Sequence, residues 1–331
     1  MNQTVEESQF AAAMRAAEDA SASPEERAEM LMEMAMGLQL KPKSAQQLRD
    51  AVALYERALG EVPPNAELLR AQIRARKGTA LQAIPDGGAE ALKQACVCFE
   101  AALPVLRELG KPEAAAEAEM NFGLATQSLA GMRMARIQDA IQCYHRALRV
   151  FTRDLHPQEF SILHNNLAVA YLSIPASDER AKMREALAVQ SFEEVLKVIT
   201  LIDHPTEYAM AQNNLGNALQ YAPSGHPLEN NLRALEAYDE ALKVRNPRDT
   251  PVEYANTISN KANVLRNLPA GSAPEGESDP LNRAVELYSE ARALFERHGL
   301  HDRAALVDSA ITETEQDLEQ RRRSGNGLAV H

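Results

Sequence analysis

The sequence predicts an all-α solenoid of about six helix-turn-helix repeats with a capping helix at each end. Three observations predict it. The chain resembles itself: Tyr144–Val150 (YHRALRV) reads like Tyr238–Val244 (YDEALKV), and His156–Tyr171 reads like His204–Leu219. Strong helix formers dominate, with only 15 Gly among 331 residues. Prolines stand at fixed distances on either side of one segment in most copies, where a helix would start and stop. Self-similarity at a period of this length is the mark of a repeat array.

The second helix of each unit is the clearest element. It carries a small residue, an aromatic four later, and a small or β-branched residue three later. The sets are Ala51/Tyr55/Ala58, Ala95/Phe99/Ala102, Ala140/Tyr144/Ala147, Ala188/Phe192/Val195, Ala234/Tyr238/Ala241 and Ala284/Tyr288/Ala291. Steps of four and three keep the members on one helical face. The small residues let the neighbouring helix come close, and the aromatic fills the space between units. Aromatics are only 5% of the chain and Trp is absent, so Ala, Leu, Val and Met must build the rest of the core.

The first helix of each unit has its own small residue: Ala35, Gly78, Gly123, Ala168, Gly216 and Ala262, spaced 43, 45, 45, 48 and 46 residues apart. Eleven residues earlier stand Pro24, Pro112, Pro157, Pro205 and Pro251; seven later stand Pro42, Pro85, Pro175, Pro223 and Pro269. Proline suits the first helical position, where no N–H bond is lost. Ser23-Pro-Glu-Glu26 and Thr250-Pro-Val-Glu253 read as capping boxes, and His156 and His204 hold the same cap position. A first helix of about 17 residues follows, roughly 25 Å long.

These residues resemble the tetratricopeptide repeat (TPR), with its Leu-Gly pair in the first helix and its small-aromatic-small set in the second. Leu215-Gly216 and Ala234/Tyr238/Ala241 match in order and spacing. The longer period and the HP-x-E-[FY] entry before runs such as NNLAVAY are similar to the kinesin-light-chain subtype. The resemblance covers roughly residues 24–298. It implies a right-handed α-solenoid whose first helices line a concave groove. The expected organisation is an N-terminal capping helix at 1–23, six helix pairs over 24–298, a C-terminal capping helix at 299–323 and a flexible tail at 324–331. Gly271–Ser278 reads as a surface loop.

On the groove stripe lie the residues three before, one after and four after each small residue. The C-terminal half is rich in side-chain amides: Asn165 in the fourth unit; Asn213, Asn217 and Gln220 in the fifth; Asn263 and Arg266 in the sixth. An amide offers donors and an acceptor, so it can pair with an extended peptide backbone. These six are the candidate partner-binding residues. The N-terminal half carries Met32, Met36 and Gln39, then Ala75, Thr79 and Gln82, then Met120, Leu124 and Gln127. Methionine adapts to irregular apolar surfaces. The resemblance also implies a test for a carboxylate clamp, which needs Lys three before the small residue. Asn213 and Ser259 stand there instead, and Arg266 is the lone groove cation of these units.

Composition excludes other classes. A formal net charge of −12 opposes nucleic-acid binding, which needs clustered Lys and Arg. Arg321-Arg322-Arg323 reads as the cationic last turn of a helix. No stretch approaches a membrane span of about 20 apolar residues, and no secretory leader is visible. Cys96, Cys98 and Cys143 cannot all pair within one chain and form no metal-spaced set, which points to a reducing, cytoplasmic setting. No phosphate loop, GxSxG, HExxH or CxxC motif appears, so no enzyme, cofactor or metal is expected. The expected function is a protein-interaction adaptor or scaffold that holds a partner protein or peptide in the groove. Two alternatives stay open: an accessory factor for assembly or maturation of an enzyme complex, and a self-associating structural protein. The oligomeric state is open too.

Overall fold

The computed structural model describes residues 11, 14, 22–174, 179–222, 227–269 and 279–327. Among them thirteen helices are delimited, with no strand. They are α1 (Pro24–Leu40), α2 (Ala45–Glu61), α3 (Glu67–Ala83), α4 (Gly88–Leu109), α5 (Pro112–Gly131), α6 (Ile137–Ala147) and α7 (Pro157–Leu172). Then come α8 (Glu179–Leu196), α9 (Pro205–Tyr221), α10 (Pro227–Leu242), α11 (Pro251–Arg266), α12 (Pro280–Arg297) and α13 (His301–Gly327). The chain divides into two compact units, Met1–Ser173 and Ile174–His331. The division falls inside the fourth expected helix pair.

Within each unit consecutive helices pack antiparallel-hairpin fashion, and first helices also touch the next first helix: α1 with α3, α3 with α5, α5 with α7, and α9 with α11. The packing follows the small-residue pattern. Every member of the six small-aromatic-small sets is buried, and so are Ala35, Ala168 and Ala262. The aromatic of the second helix lies against the small residue of the first. A β-carbon added to Gly78 would come within 2.9 Å of the Phe99 ring, and one added to Gly216 within 2.6 Å of Tyr238. Glycine is needed there for close approach, not for a special backbone angle.

Helix entry follows the prolines: Pro24, Pro112, Pro157, Pro205 and Pro251 each start a helix. Only one of the two expected capping boxes forms. Glu26 N–H donates to Ser23 Oγ at 3.2 Å, and Ser23 N–H donates to Glu26 Oε2 at 2.8 Å. Thr250 makes no side-chain cap. Its Oγ1 instead accepts from Asn246 N–H at 2.9 Å, because the preceding turn folds back on it. His156 and His204 stand at the same place with near-identical backbone angles and likewise make no side-chain cap.

The ends differ from the sequence reading in detail. Of residues 1–21 in the N-terminal capping segment, only Ala11 and Met14 are described; both are helical, and Met14 packs against the core of the first hairpin. The last helix runs to Gly327, past the expected end at 323. Its Ala304, Val307 and Ile311 join the core of α11 and α12. The Gly271–Ser278 insertion, Pro175 and Pro223 lie outside the described residues.

Candidate functional site

In the first unit the face formed by α1, α3 and α5 holds a cavity of about 220 Å³. Met32 and Met36 line it from α1, Ala75 and Thr79 from α3, and Ala118 from α5, with Phe99 and Leu106 beneath. The first four belong to the stripe expected from the sequence. Polar groups edge the apolar centre. Arg76 pairs with Glu117 at 3.3 Å, and Asn121 Nδ2 donates to Thr79 Oγ1 at 3.5 Å. Glu33 also lines the cavity and is exposed. It makes no ion pair among the described residues.

Sequence reasoning missed Glu33, Arg76 and Asn121. A signal was present: each stands two residues before the small residue of its first helix. That position neighbours the stripe but was left out of it. Farther along, Ile162, Val169 and Leu172 expose an apolar strip on α7. Asn165 lies on the same side, and its Oδ1 is buried without a hydrogen-bond partner.

The amides on this stripe have a role that the sequence did not suggest. They receive the hydroxyl of the tyrosine from the second helix. Tyr55 Oη donates to Gln39 Oε1, and Tyr144 Oη donates to Gln127 Oε1, each at 2.8 Å. Where the aromatic is Phe99, the equivalent Gln82 Oε1 is buried with no partner. Burial pushes the Tyr55 and Tyr144 phenols well above their ordinary range, so both are neutral donors.

The second unit repeats this arrangement with asparagine. Tyr238 Oη donates to Asn217 Oδ1 at 2.8 Å, and Gln220 Nε2 donates back to the same Oη. Tyr288 Oη donates to Asn263 Oδ1. Its phenol is raised by burial to about 12, with Arg266 acting the other way. Asn213 is buried; its Nδ2 donates to Asn214 Oδ1 and its Oδ1 accepts from Asn260 Nδ2, both at 3.4 Å. Arg266, the expected groove cation, is held by two carboxylates of α13: Glu313 at 2.7 Å and Asp317 at 3.0 Å. The structure thus brings Asn213, Asn217, Gln220, Asn263 and Arg266 to helices α9 and α11, each with an internal partner. Asn165 lies in the first unit.

A second cavity, about 350 Å³, opens between α4, α5 and α6. Cys96 and Cys143 line it with Thr126, Asp139 and Arg146. The thiols are poor nucleophiles. Burial raises the Cys143 thiol to about 12 and raises Cys96 as well. Arg146 is already committed to the buried Glu119, at 2.8 and 2.9 Å, and donates to Cys143 Sγ at 3.1 Å. His145, two residues from Cys143, bonds instead to Tyr171 Oη at 3.0 Å. No Cys–His pair is assembled there. No group of three or more metal-ligating side chains is placed to hold a metal ion among the described residues, and no described helix is long and apolar enough to cross a membrane.

The repeat is TPR-like. That follows from the glycine-to-ring packing and the buried small-aromatic-small sets described above. No family model matches the chain, and no curated protein matches it. Among solved structures, BtubC (BKLC) from P. vanneervenii is 20% identical, with a TM-score of 0.49 over 74% of this chain and 96% of that one. The TPR2AB domain of yeast Sti1, solved as a pHSP90 complex, is 15% identical, with a TM-score of 0.29 over 87% of this chain and 98% of that one. The assignment of the repeat rests on the packing, not on these overlaps.

Proposed function

We propose that the chain is a protein-interaction scaffold, and that the α1–α3–α5 face is where a partner segment docks. The observation that carries this reading is the open apolar cavity edged by Met32, Met36, Ala75 and Thr79. Phe99 and Leu106 beneath it are fully buried, yet the space between the three helices above them is left unfilled. Two adaptable methionines at its rim suit an incoming side chain. In the second unit, the α9 and α11 stripe of Asn213, Asn217, Gln220, Asn263 and Arg266 is a further binding face in this reading. A ligand there must compete with the tyrosine hydroxyls and the α13 carboxylates. Three free cysteines whose burial raises their thiols fit a reducing compartment.

The test is selection from a random displayed peptide library on the full chain, run in parallel on Met36→Asp and on the Asn217→Ala/Asn263→Ala double variant. Peptides recovered by the wild type and lost with Met36→Asp locate binding in the first unit. Peptides lost with the double variant locate it in the second. Recovery of no sequence-specific peptide by the wild type would overturn the reading.

A further inference from the structure

Charge around the first-unit cavity is lopsided. Its α1 edge carries Glu33, and its α5 edge carries Glu117. One turn further along the same helix faces stand Glu29 and Glu113, each four residues before its neighbour. Glu29, Glu33 and Glu113 are exposed and Glu117 is half-buried, and of the four only Glu117 has an ion-pair partner among the described residues. That partner is Arg76 on the central helix α3, the single cation lining the cavity. The apolar trough thus runs between two acidic ledges, and the one guanidinium inside it is already engaged. The surrounding chain, at a formal net charge of −12, reinforces this sign.

We propose that the occupant of this cavity is a basic amphipathic segment. An apolar side chain such as Leu or Met enters between Met32 and Met36, and a flanking Lys or Arg pairs with Glu33. This rests on the docking reading of the face and adds the class of partner. An acidic segment is disfavoured, because it would set its carboxylates against the four on the ledges with Arg76 already neutralised by Glu117. An uncharged apolar segment would leave Glu33 facing a dry contact with nothing to offset its loss of water. The basic flank resolves both.

The experiment uses three labelled synthetic peptides of equal length, with alternating Leu and Lys, Leu and Glu, or Ser and Lys. Fluorescence anisotropy reads their affinity for the full chain, for Glu33→Arg and for Met36→Asp, at low and near-physiological salt. Glu33 is exposed and has no ion-pair partner among the described residues, so its replacement is expected to leave stability intact; circular dichroism checks this. The Leu/Lys peptide is expected to bind at least about tenfold tighter than either other peptide. Glu33→Arg should erase most of the Leu/Lys preference over Leu/Glu, and Met36→Asp should remove the preference of Leu/Lys over Ser/Lys. If Leu/Glu binds as well as Leu/Lys but is lost with Met36→Asp, the basic-partner proposal falls while the docking face stands. If Met36→Asp changes none of the three affinities, both fall.

Discussion

The ring of Tyr144 occupies the space that a side chain at position 123 would need: a β-carbon on Gly123 would lie 2.6 Å from Tyr144 Cε1. Tyr144 is fully buried on α6 and cannot swing away. Gly123→Ala should therefore destabilise the first unit, although alanine is the better helix former. Overpacking costs about 1–3 kcal/mol and the propensity gain returns at most about 1 kcal/mol. Gly37 on α1 has nothing within 4 Å of its would-be β-carbon. Gly37→Ala should stabilise by about 0.5–1 kcal/mol. Urea unfolding of the two variants should give midpoints displaced in opposite directions.

The tyrosine hydroxyls give a second expectation, with opposite signs in neighbouring repeats. Tyr144→Phe leaves Gln127 Oε1 without its donor and should cost about 1 kcal/mol. Phe99→Tyr places a hydroxyl in the repeat position where Gln82 Oε1 is buried and unpaired, and should stabilise by a similar amount. Thermal melting of both single variants checks the pair of signs. No gain in Phe99→Tyr would mean that its hydroxyl does not reach Gln82.

These amides show where the sequence was legible and where it was not. The small-aromatic-small sets were readable because spacings of three and four force their members onto one face whatever the neighbours are. The role of Gln39, Gln127, Asn217 and Asn263 was not. It depends on how deeply a ring from another helix, some 16 to 25 residues away, sinks toward a glycine or alanine. The sequence spacing places an amide on the stripe but does not say whether a tyrosine hydroxyl has reached it from below. The Thr250 cap failed for a similar reason: the side chain had a competing local donor at Asn246. The cavity polar rim at Glu33, Arg76 and Asn121 recurs in register, yet only the packed helices show that these residues edge an open space.

Acid sensitivity should centre on Glu119. Its side chain is buried on α5 between Arg107 of α4 and Arg146 of α6, tying three helices together. Burial alone would push the carboxyl up, but hydrogen bonds from Arg146 and Arg107 outweigh it and hold the group below its ordinary value. A carboxyl depressed in the folded state adds stability above its unfolded pKa. That contribution is lost as pH falls through the folded value, from about pH 5 downward. Wild type should therefore exceed Glu119→Gln in stability at pH 7, with the gap shrinking toward pH 3. Arg146→Leu should be the harsher change at neutral pH, costing about 3 kcal/mol, because it leaves a buried carboxylate with one partner fewer. Denaturant midpoints across that pH range separate the two effects.

Arg266 distinguishes a residue offered to a ligand from one holding the fold. Its guanidinium bridges Glu313 and Asp317, so it pins α13 against α11. Both bridges are part-exposed, and pairs of that kind contribute about 1 kcal/mol or less each. Arg266→Ala should therefore leave the global melting of the second unit nearly unchanged but loosen α13 locally. Hydrogen exchange should rise in the stretch around Glu313 and Asp317, while protection in α9 and α10 stays as it was. Glu313→Gln/Asp317→Asn should loosen the same stretch, and in addition free the Arg266 guanidinium for an outside carboxylate. An acidic peptide that binds this double variant and not the wild type would show that α13 screens the cation from ligands. If Arg266→Ala leaves exchange in α13 unchanged, the helix is held by its other contacts, among them Ala304, Val307, Ile311 and the Arg292–Asp308 pair, and the Arg266 ion pairs contribute nothing to its docking.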